Sequence, residues 1–413
     1  MKRSLLASLG PLDPTPIRHA YVHVPFCASI CPFCSFHVAV RERGAVERFL
    51  VDLDAELAEV AEHCEVELDT LYLGGGTPTF LRSDELERLT AMVTARLGWP
   101  KLEATIEIHP STATAERVRR WVELGFNRLS VGAQSFDDGI LEALGRTHSA
   151  ADTLDIIDAC LATGAVTSLD LMMPSPGQDV AADVARAIAT GVPHVSVYAL
   201  TIEPGTPFAI AGRVVADGDA AEAIEGAAGL LAAAGYERYE VSNYARPGAR
   251  CLHDQAYWNA RPCLGVGPSA SGLVRLGDGT HARYSNPRLG EWMAPRGPLS
   301  IAVAGPGADA VAGAGAGGGD PDDGGDASEA GGGEVDLMTG EALMGDLLLC
   351  GLRLVEGVDL ETVAERGGVD PRLVRGGELK RLESDGLVEV RGSLLRATDH
   401  GRMLLDGVAS ALM

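Results

Sequence analysis

From residue 19 to residue 245, short runs rich in β-branched residues alternate with longer segments whose apolar residues recur every three or four positions. The strand candidates are 20–24, 70–74, 104–108, 127–132, 166–171 and 194–200. Between the first two, Phe49, Leu53, Leu57 and Val60 share one face of a helix running from Val46 to Cys64. A second helix starts at Ser83, an N-cap residue type followed by Asp84 and Glu85, and stops at Gly98 before Pro100. A third spans Thr114 to Leu124 and ends at Gly125. Strand-then-helix units in series dictate an α/β fold with a parallel sheet, because parallel neighbours need a right-handed crossover. An open doubly wound sheet and a full or partial barrel both satisfy the pattern. Either architecture puts its chemistry at the carboxyl ends of the strands.

The remaining chain divides by composition. Residues 1–18 form a short N-terminal extension, and 19–300 hold the strand-helix units with a substrate-facing extension. Residues 301–336 are expected to be a flexible linker, since Gly305 to Glu334 is mostly Gly, Ala and Asp and has almost nothing to bury. Residues 337–413 show helical patterns at 341–354, 359–366 and 371–384, two strands around Arg391-Gly392 and a last helix, the order of a winged-helix-like domain. Arg372, Arg375, Lys380 and Arg381 do not make that domain a DNA reader, because acidic residues outnumber basic ones across it. The whole chain sets 34 Lys and Arg against 58 Asp and Glu, a net charge of -24, which works against nucleic-acid or anionic-membrane binding. No apolar run reaches 18 residues, and the start MKRSLLASLGPLDP is too short in its apolar part for a secretion signal, so a cytoplasmic protein without an integral membrane segment is expected.

Five of the eight cysteines, Cys64, Cys160, Cys251, Cys263 and Cys350, stand far apart. Cys27, Cys31 and Cys34 form C-x3-C-x2-C, which in a reducing compartment points to metal or redox chemistry before disulfides. A closed zinc site wants four ligands, commonly two separated pairs, and no second pair is near. A four-iron cluster takes one thiolate per iron, so three cysteines leave one iron open to a substrate or cosubstrate. The triad alone leaves zinc, a cluster and a chance grouping open.

The triad, with an aromatic before its last Cys, resembles the cluster motif of the radical S-adenosylmethionine (SAM) superfamily. YVHVPFC, LYLGGGTPTFL, TIEIHP, GFNRLSVGAQSFDDGILEALGRTHS, SLDLMMPSPGQ, HVSVYALTIEPGTPF, YEVSNYARPG, CLHDQAYW, LLCGLRLVEGVDL and TDHGRMLL further resemble the coproporphyrinogen dehydrogenase and HemW haem-chaperone family over nearly the whole chain. The resemblance implies a partial (β/α)6 barrel and a 4Fe-4S cluster on Cys27, Cys31 and Cys34. It also implies SAM on the open iron, split by one electron to a 5′-deoxyadenosyl radical. Gly74, Gly75 and Gly76 follow a strand candidate, where glycines let backbone approach a ligand or simply turn the chain. By resemblance Gly75, Gly76 and Thr77 meet the methionine end of SAM, Glu107 helps hold it, and Gln134 and Asp170 take the ribose. Arg146, whose fork suits a carboxylate, pairs with that of SAM. Phe33 lies along the adenosyl group, and Tyr21 is a further contact that a core aromatic role explains nearly as well. The motifs fall at or beyond the ends of successive strand candidates, as the placement rule requires.

Departures from the family pattern gather in pocket-like loops. Phe36 stands where the dehydrogenases carry a further Cys, His109 where Asn is usual, and Asp254 replaces the Asn of the chaperones' H-N-x-x-Y motif while His253 and Tyr257 remain. Pro174-Ser175-Pro176 and Ala270-Ser271 also differ from the usual Gly-Leu-Pro and Ala-His. Three functions follow. The first is a haem chaperone with His253 contributing to haem binding and Asp254 beside it, ionised near neutral pH, expected to hold the imidazole's other nitrogen. The second is a class C radical SAM methyltransferase or cyclopropanase, using a second SAM and an aromatic natural product or peptide. The third, disfavoured by Phe36, is a coproporphyrinogen III dehydrogenase. All three need an electron donor such as flavodoxin or ferredoxin.

Overall fold

The computed structural model describes residues 4–294, the backbone of 302–304 and residues 333–413. The chain enters with β1 (Ile17–Val24), forms a two-residue ribbon from β2 (Phe26–Cys27) and β3 (Ala39–Val40), and continues with β4 (Val66–Gly75), β5 (Glu103–Ile108), β6 (Arg128–Gln134), β7 (Val166–Met173) and β8 (His194–Ala199). β1, β4, β5, β6, β7 and β8 are neighbours in that order and all parallel, the expected partial (β/α)6 barrel. Period-two alternation explains its two faces. Leu71, Leu73, Ile106, Ile108, Leu129, Val131, Leu169, Leu171, Val195 and Val197 are buried in one core with Phe49, Leu53, Leu57 and Val60 of the first helix. At the alternate positions, Tyr72, Glu107, Ser130, Asp170, Ser196 and Tyr198 carry polar groups.

Antiparallel strands extend the sheet at one end. β9 (Glu237–Arg238) and β10 (Asn243–Ala245) follow β8, with β10 paired to β8. At the other end β11 (Cys263–Val266) runs parallel to β1, then come β12 (Ser271–Arg275), β13 (His281–Ser285), β14 (Ala302–Ala304) and β15 (Glu334–Met338). The expected linker range 301–336 is therefore entered by strands at both ends. Val335 is 2% exposed and pairs with Tyr284, because Val335 and Met338 supply apolar surface that the preceding glycines lack. Residues 305–332, which hold nearly all of the Gly/Ala/Asp stretch, lie outside the described residues.

Two local expectations are corrected. The second helix is Ser83–Leu97 with Arg82 as its N-cap, since the Glu85 carboxylate reaches back to the Arg82 N–H at 2.9 Å and leaves Ser83 inside the first turn. The pattern at 371–384 is two helices, Pro371–Val374 and Gly376–Ser384, broken at Arg375 before a pair of glycines.

In the C-terminal part, β16 (Val358–Asp359), β17 (Val388–Arg391) and β18 (Leu394–Ala397) form an antiparallel sheet in the order β16-β18-β17, packed with the helices Gly340–Gly351, Leu360–Gly367 and Gly376–Ser384. Its core also takes in Ala260 and Leu273 from the barrel side. Arg283 Nη2 donates to Asp346 at 2.6 Å, Arg366 donates to the carbonyls of Asn259 and Ala260, and the Arg353 guanidinium lies 5.1 Å from the Trp258 ring. Among the described residues, no helix is long and apolar enough to cross a membrane.

Candidate functional site

The three clustered cysteines lie just beyond β1, all partly exposed and all free. Cys34 N–H donates to the Cys31 carbonyl at 3.0 Å, which folds the loop into a turn. Cys27 Sγ is 3.6 Å from Thr77 Oγ1, and Arg146 Nη1 is 3.6 Å from Cys31 Sγ. The loop after β1 therefore meets the end of β4 and the turn that follows the helix Asp138–Ala143.

Glycines make that approach feasible. Gly75 has φ +107°, and a Cβ there would lie 2.5 Å from the His23 ring. Gly76 N–H donates to Val24 O and Thr77 N–H to Phe26 O, each at 2.9 Å, so the end of β4 is zipped to the chain leaving β1 and Thr77 is delivered to Cys27. Gly145, with φ +70°, would place a Cβ 2.5 Å from Pro32, so only glycine lets the Arg146 loop close on the cysteine loop. On the far side Phe208 N–H donates to the Pro32 carbonyl at 3.0 Å, and the Phe33 ring packs 6.3 Å from that of Phe208.

Burial pushes the Cys34 thiol up to about 11, with its two sister cysteines adding to the rise, and burial also raises Cys27. Any metal bound by these sulfurs would have to displace their protons. Among the described residues, no three His, Cys, Asp or Glu side chains converge closely enough to hold one metal ion. A four-iron cluster makes a different demand, one thiolate on each of three irons.

Glu107 stands at the end of β5 and accepts from Tyr72 OH and from Gly75 N–H, each at 3.0 Å. Burial pushes its carboxyl up to about 8, with the charge of Asp170 adding to the effect. Asp170, inward on β7, accepts from Ser130 Oγ at 3.5 Å and is raised to about 6 by burial, then by Asp254. Tyr21 packs its ring 6.0 Å from Tyr72, and its hydroxyl lies 3.1 Å from His23 Nδ1. Gln134 ends β6 with φ +67°, and its Oε1 is buried without a partner. Arg146 Nη2 donates to the Gly132 carbonyl at 3.0 Å, while its buried Nε has no partner. These orphaned polar atoms, the glycine cradle and the free thiols fit a polar, partly anionic cosubstrate beside a cluster.

His253 is placed differently. It is 7% exposed on the short helix Leu252–Trp258, its Nδ1 is 2.9 Å from Thr70 Oγ1, and its ring lies 5.3 Å from Tyr72. Burial holds the imidazole down to about 3, so it is neutral. Asp254 does not hold that ring: it accepts from Asn243 Nδ2 at 3.2 Å, and burial raises it to about 6. The helix is set by Glu103, which accepts from the N–H groups of Leu252 and His253 and lies 3.6 Å from Arg128.

Tyr72, Glu103 and Asp183 escaped the sequence reading. Tyr72 sits two residues before the glycine run on the Glu107 side, a cue that period-two alternation alone could have supplied. Glu103 and Asp183 act on residues far away in sequence and leave no local signature.

A family model for the radical SAM superfamily matches residues 21–187, and one for the HemN C-terminal domain matches residues 338–404. The chain is 36% identical over 284 residues to "Heme chaperone HemW" of Escherichia coli strain K12, covering 66% of this chain and 74% of that one. It is 31% identical over 424 residues to "Heme chaperone HemW" of Mycobacterium tuberculosis strain H37Rv, covering 99% of this chain and 97% of that one. Among solved structures, coproporphyrinogen III oxidase (HemN) from Escherichia coli superimposes with TM-score 0.77 at 20% identity, over 98% of this chain and 92% of that one. That last likeness concerns the fold alone.

Proposed function

The chain belongs to the HemW family of radical SAM proteins, and from that premise we propose that it is a haem chaperone that carries a 4Fe-4S cluster and binds SAM. The observation that carries the reading is the meeting of three free thiols with Thr77 and Arg146 at the strand ends of a barrel whose relatives along its full length are named as haem chaperones. The heme-chaperone name of those relatives favours this function over the methyltransferase. Phe36, at the place of the dehydrogenases' further Cys, stands against coproporphyrinogen oxidation.

Cys27, Cys31 and Cys34 hold the cluster in this reading, and when bound it supplies the electron that splits the SAM sulfonium. The chain's own residues bind and orient. Gly75, Gly76 and Thr77 offer backbone to the methionine end, and Arg146 pairs with its carboxylate. Gln134 and Asp170 take the ribose hydroxyls, and Glu107 counters the positive charge of the cosubstrate. Phe33 and Tyr21 flank the site with apolar surface. For haem, Thr70 occupies Nδ1 of His253 and leaves Nε2 as the nitrogen for iron. Flavodoxin or ferredoxin is the class of donor that would reduce the cluster, in a reducing cytoplasm. A second SAM has no part in this reading.

The test is anaerobic reconstitution followed by two incubations. Haem should bind with a defined absorbance band at one per chain, and SAM with reductant should yield 5′-deoxyadenosine without S-adenosylhomocysteine. Absence of haem binding together with S-adenosylhomocysteine formation from an aromatic acceptor would replace the chaperone with the methyltransferase.

A further inference from the structure

Gln134 is one of the few non-glycine residues here in the left-handed region, and the pairing of β6 with β7 shifts register between Val131 and Gln134. A non-glycine residue holds that conformation only where its surroundings over-determine it. What over-determines it is a carboxylate on the helix Val180–Ala189. Asp183, 3% exposed, accepts from Ser135 Oγ at 2.6 Å and Phe136 N–H at 2.7 Å, the two residues that follow Gln134. Gln178 Nε2 donates to the same carboxylate at 2.8 Å and also to Met172 O, which ties in the end of β7. One turn further along the helix, Arg186 Nη1 donates to the Phe136 carbonyl at 3.0 Å. Both backbone groups of Phe136 are thus gripped from one helix.

The grip has a directional result. Gly132 leaves open the space in which the Gln134 amide and the Arg146 guanidinium lie: a Cβ there would stand 3.1 Å from Gln134 Nε2 and 3.5 Å from Arg146 Nη2. Gln134 Oε1 is buried in that space with no partner, so its acceptor is available to a ligand hydroxyl. We propose that Asp183 is a positioning residue for SAM: it locks the turn after β6 so that the Gln134 amide is aimed at the cosubstrate. The proposal rests on the reading of Gln134 as a SAM contact. Asp183 itself touches no ligand in it.

The test is a double-mutant cycle on reconstituted protein, with SAM affinity read by titration calorimetry and cluster content by iron assay. Asp183→Asn, which loses acceptors but keeps shape, should weaken SAM about tenfold with the cluster intact, and Gln134→Ala by a similar factor. The double variant should bind no worse than Gln134→Ala alone, because Asp183 acts only through that side chain. Ser135→Ala removes one strand of the grip and should give a smaller loss in the same direction, also absent in the Gln134→Ala background. It carries the test if Asp183→Asn fails to fold. Wild-type SAM affinity in the Asp183 and Ser135 variants, or multiplicative losses in the double variants, would overturn the positioning role while leaving Gln134 in place. Wild-type affinity in Gln134→Ala would remove the premise and the proposal together, and is told apart by that single variant.

Discussion

The cysteine loop and the His253 helix both stood out in the sequence as ligand-bearing motifs, yet they are built on opposite plans. At the loop the thiols are partly exposed and free, and Arg146 and Gln134 each keep a buried polar atom without a partner. At the helix, His253 is 7% exposed, its Nδ1 is taken by Thr70, and its backbone N–H is taken by Glu103. A region prepared for a ligand keeps hydrogen-bonding capacity unused, because the ligand will complete it. A region this buried must open before a group as large as haem can reach the one nitrogen left to it. SAM should therefore enter the loop site with little rearrangement, and haem should reach His253 only after the floor around Thr70 and Tyr72 yields.

The largest effect expected is at the loop. Cys31→Ser should remove the cluster altogether, since the proposed function gives its thiolate one of the three irons the protein would hold. Iron and sulfide assays should fall from about four of each per chain to background, and an undiminished cluster would end the contrast drawn above. Next, Arg146→Ala should keep iron content while weakening SAM about ten- to a hundredfold, the loss of a charged hydrogen bond. Calorimetric titration of the reconstituted variant measures it. At the helix, His253→Ala should lower haem affinity about tenfold and leave 5′-deoxyadenosine formation at the wild-type rate. Stopped-flow mixing of wild type with haem should also show a rate that levels off with haem concentration, as an opening step before binding requires. A rate that keeps rising would make the helix as ready a site as the loop.

The smallest effect is a proton. Glu107 is held up at about 8 against an ordinary 4.5, so between those values the folded chain binds more protons than the unfolded one and loses stability as pH rises through that window. A cation placed beside Glu107 reverses this preference, and SAM binding near pH 7 should release a fraction of a proton. Calorimetry in buffers of different ionisation enthalpy reads that release, and Glu107→Gln should abolish it.

The barrel was legible because its strands declare themselves twice, by β-branched runs and by the helices between them. Boundaries moved by only a few residues, as with 70–74 growing into Val66–Gly75. The strands that extend the sheet beyond β1 and β8 were not legible. Strands such as Cys263–Val266 and Glu334–Met338 are short, and what makes them strands is the partner each finds across the sheet. The same division holds for the site. Cys27, Cys31 and Cys34 carry their signal in their own spacing, and Gly74, Gly75 and Gly76 carry theirs as a run at the end of a strand. Asp183 serves residues 48 and 47 positions away, Ser135 and Phe136, and its only local mark is to be an acidic residue in the first turn of a helix. Asp254 shows the reverse failure. Its place beside His253 invited a hydrogen bond that the helix geometry sends to Asn243 instead.

The docking of the C-terminal residues on the barrel floor sets an order of events during synthesis. β15 completes the sheet beside β13, Val355 N–H donates to the Tyr239 carbonyl at 3.1 Å, and Arg366 holds the carbonyls of Asn259 and Ala260. A ribosome that has made the cysteine loop, every barrel strand and the Glu103 that seats the His253 helix has still not released Arg366, which clamps the residues just after that helix at Asn259 and Ala260. The nascent chain can thus pair its barrel strands before Arg353 reaches the Trp258 ring and before the C-terminal helices that bury Leu273 exist, and until then those two apolar side chains lack the cover the folded chain gives them.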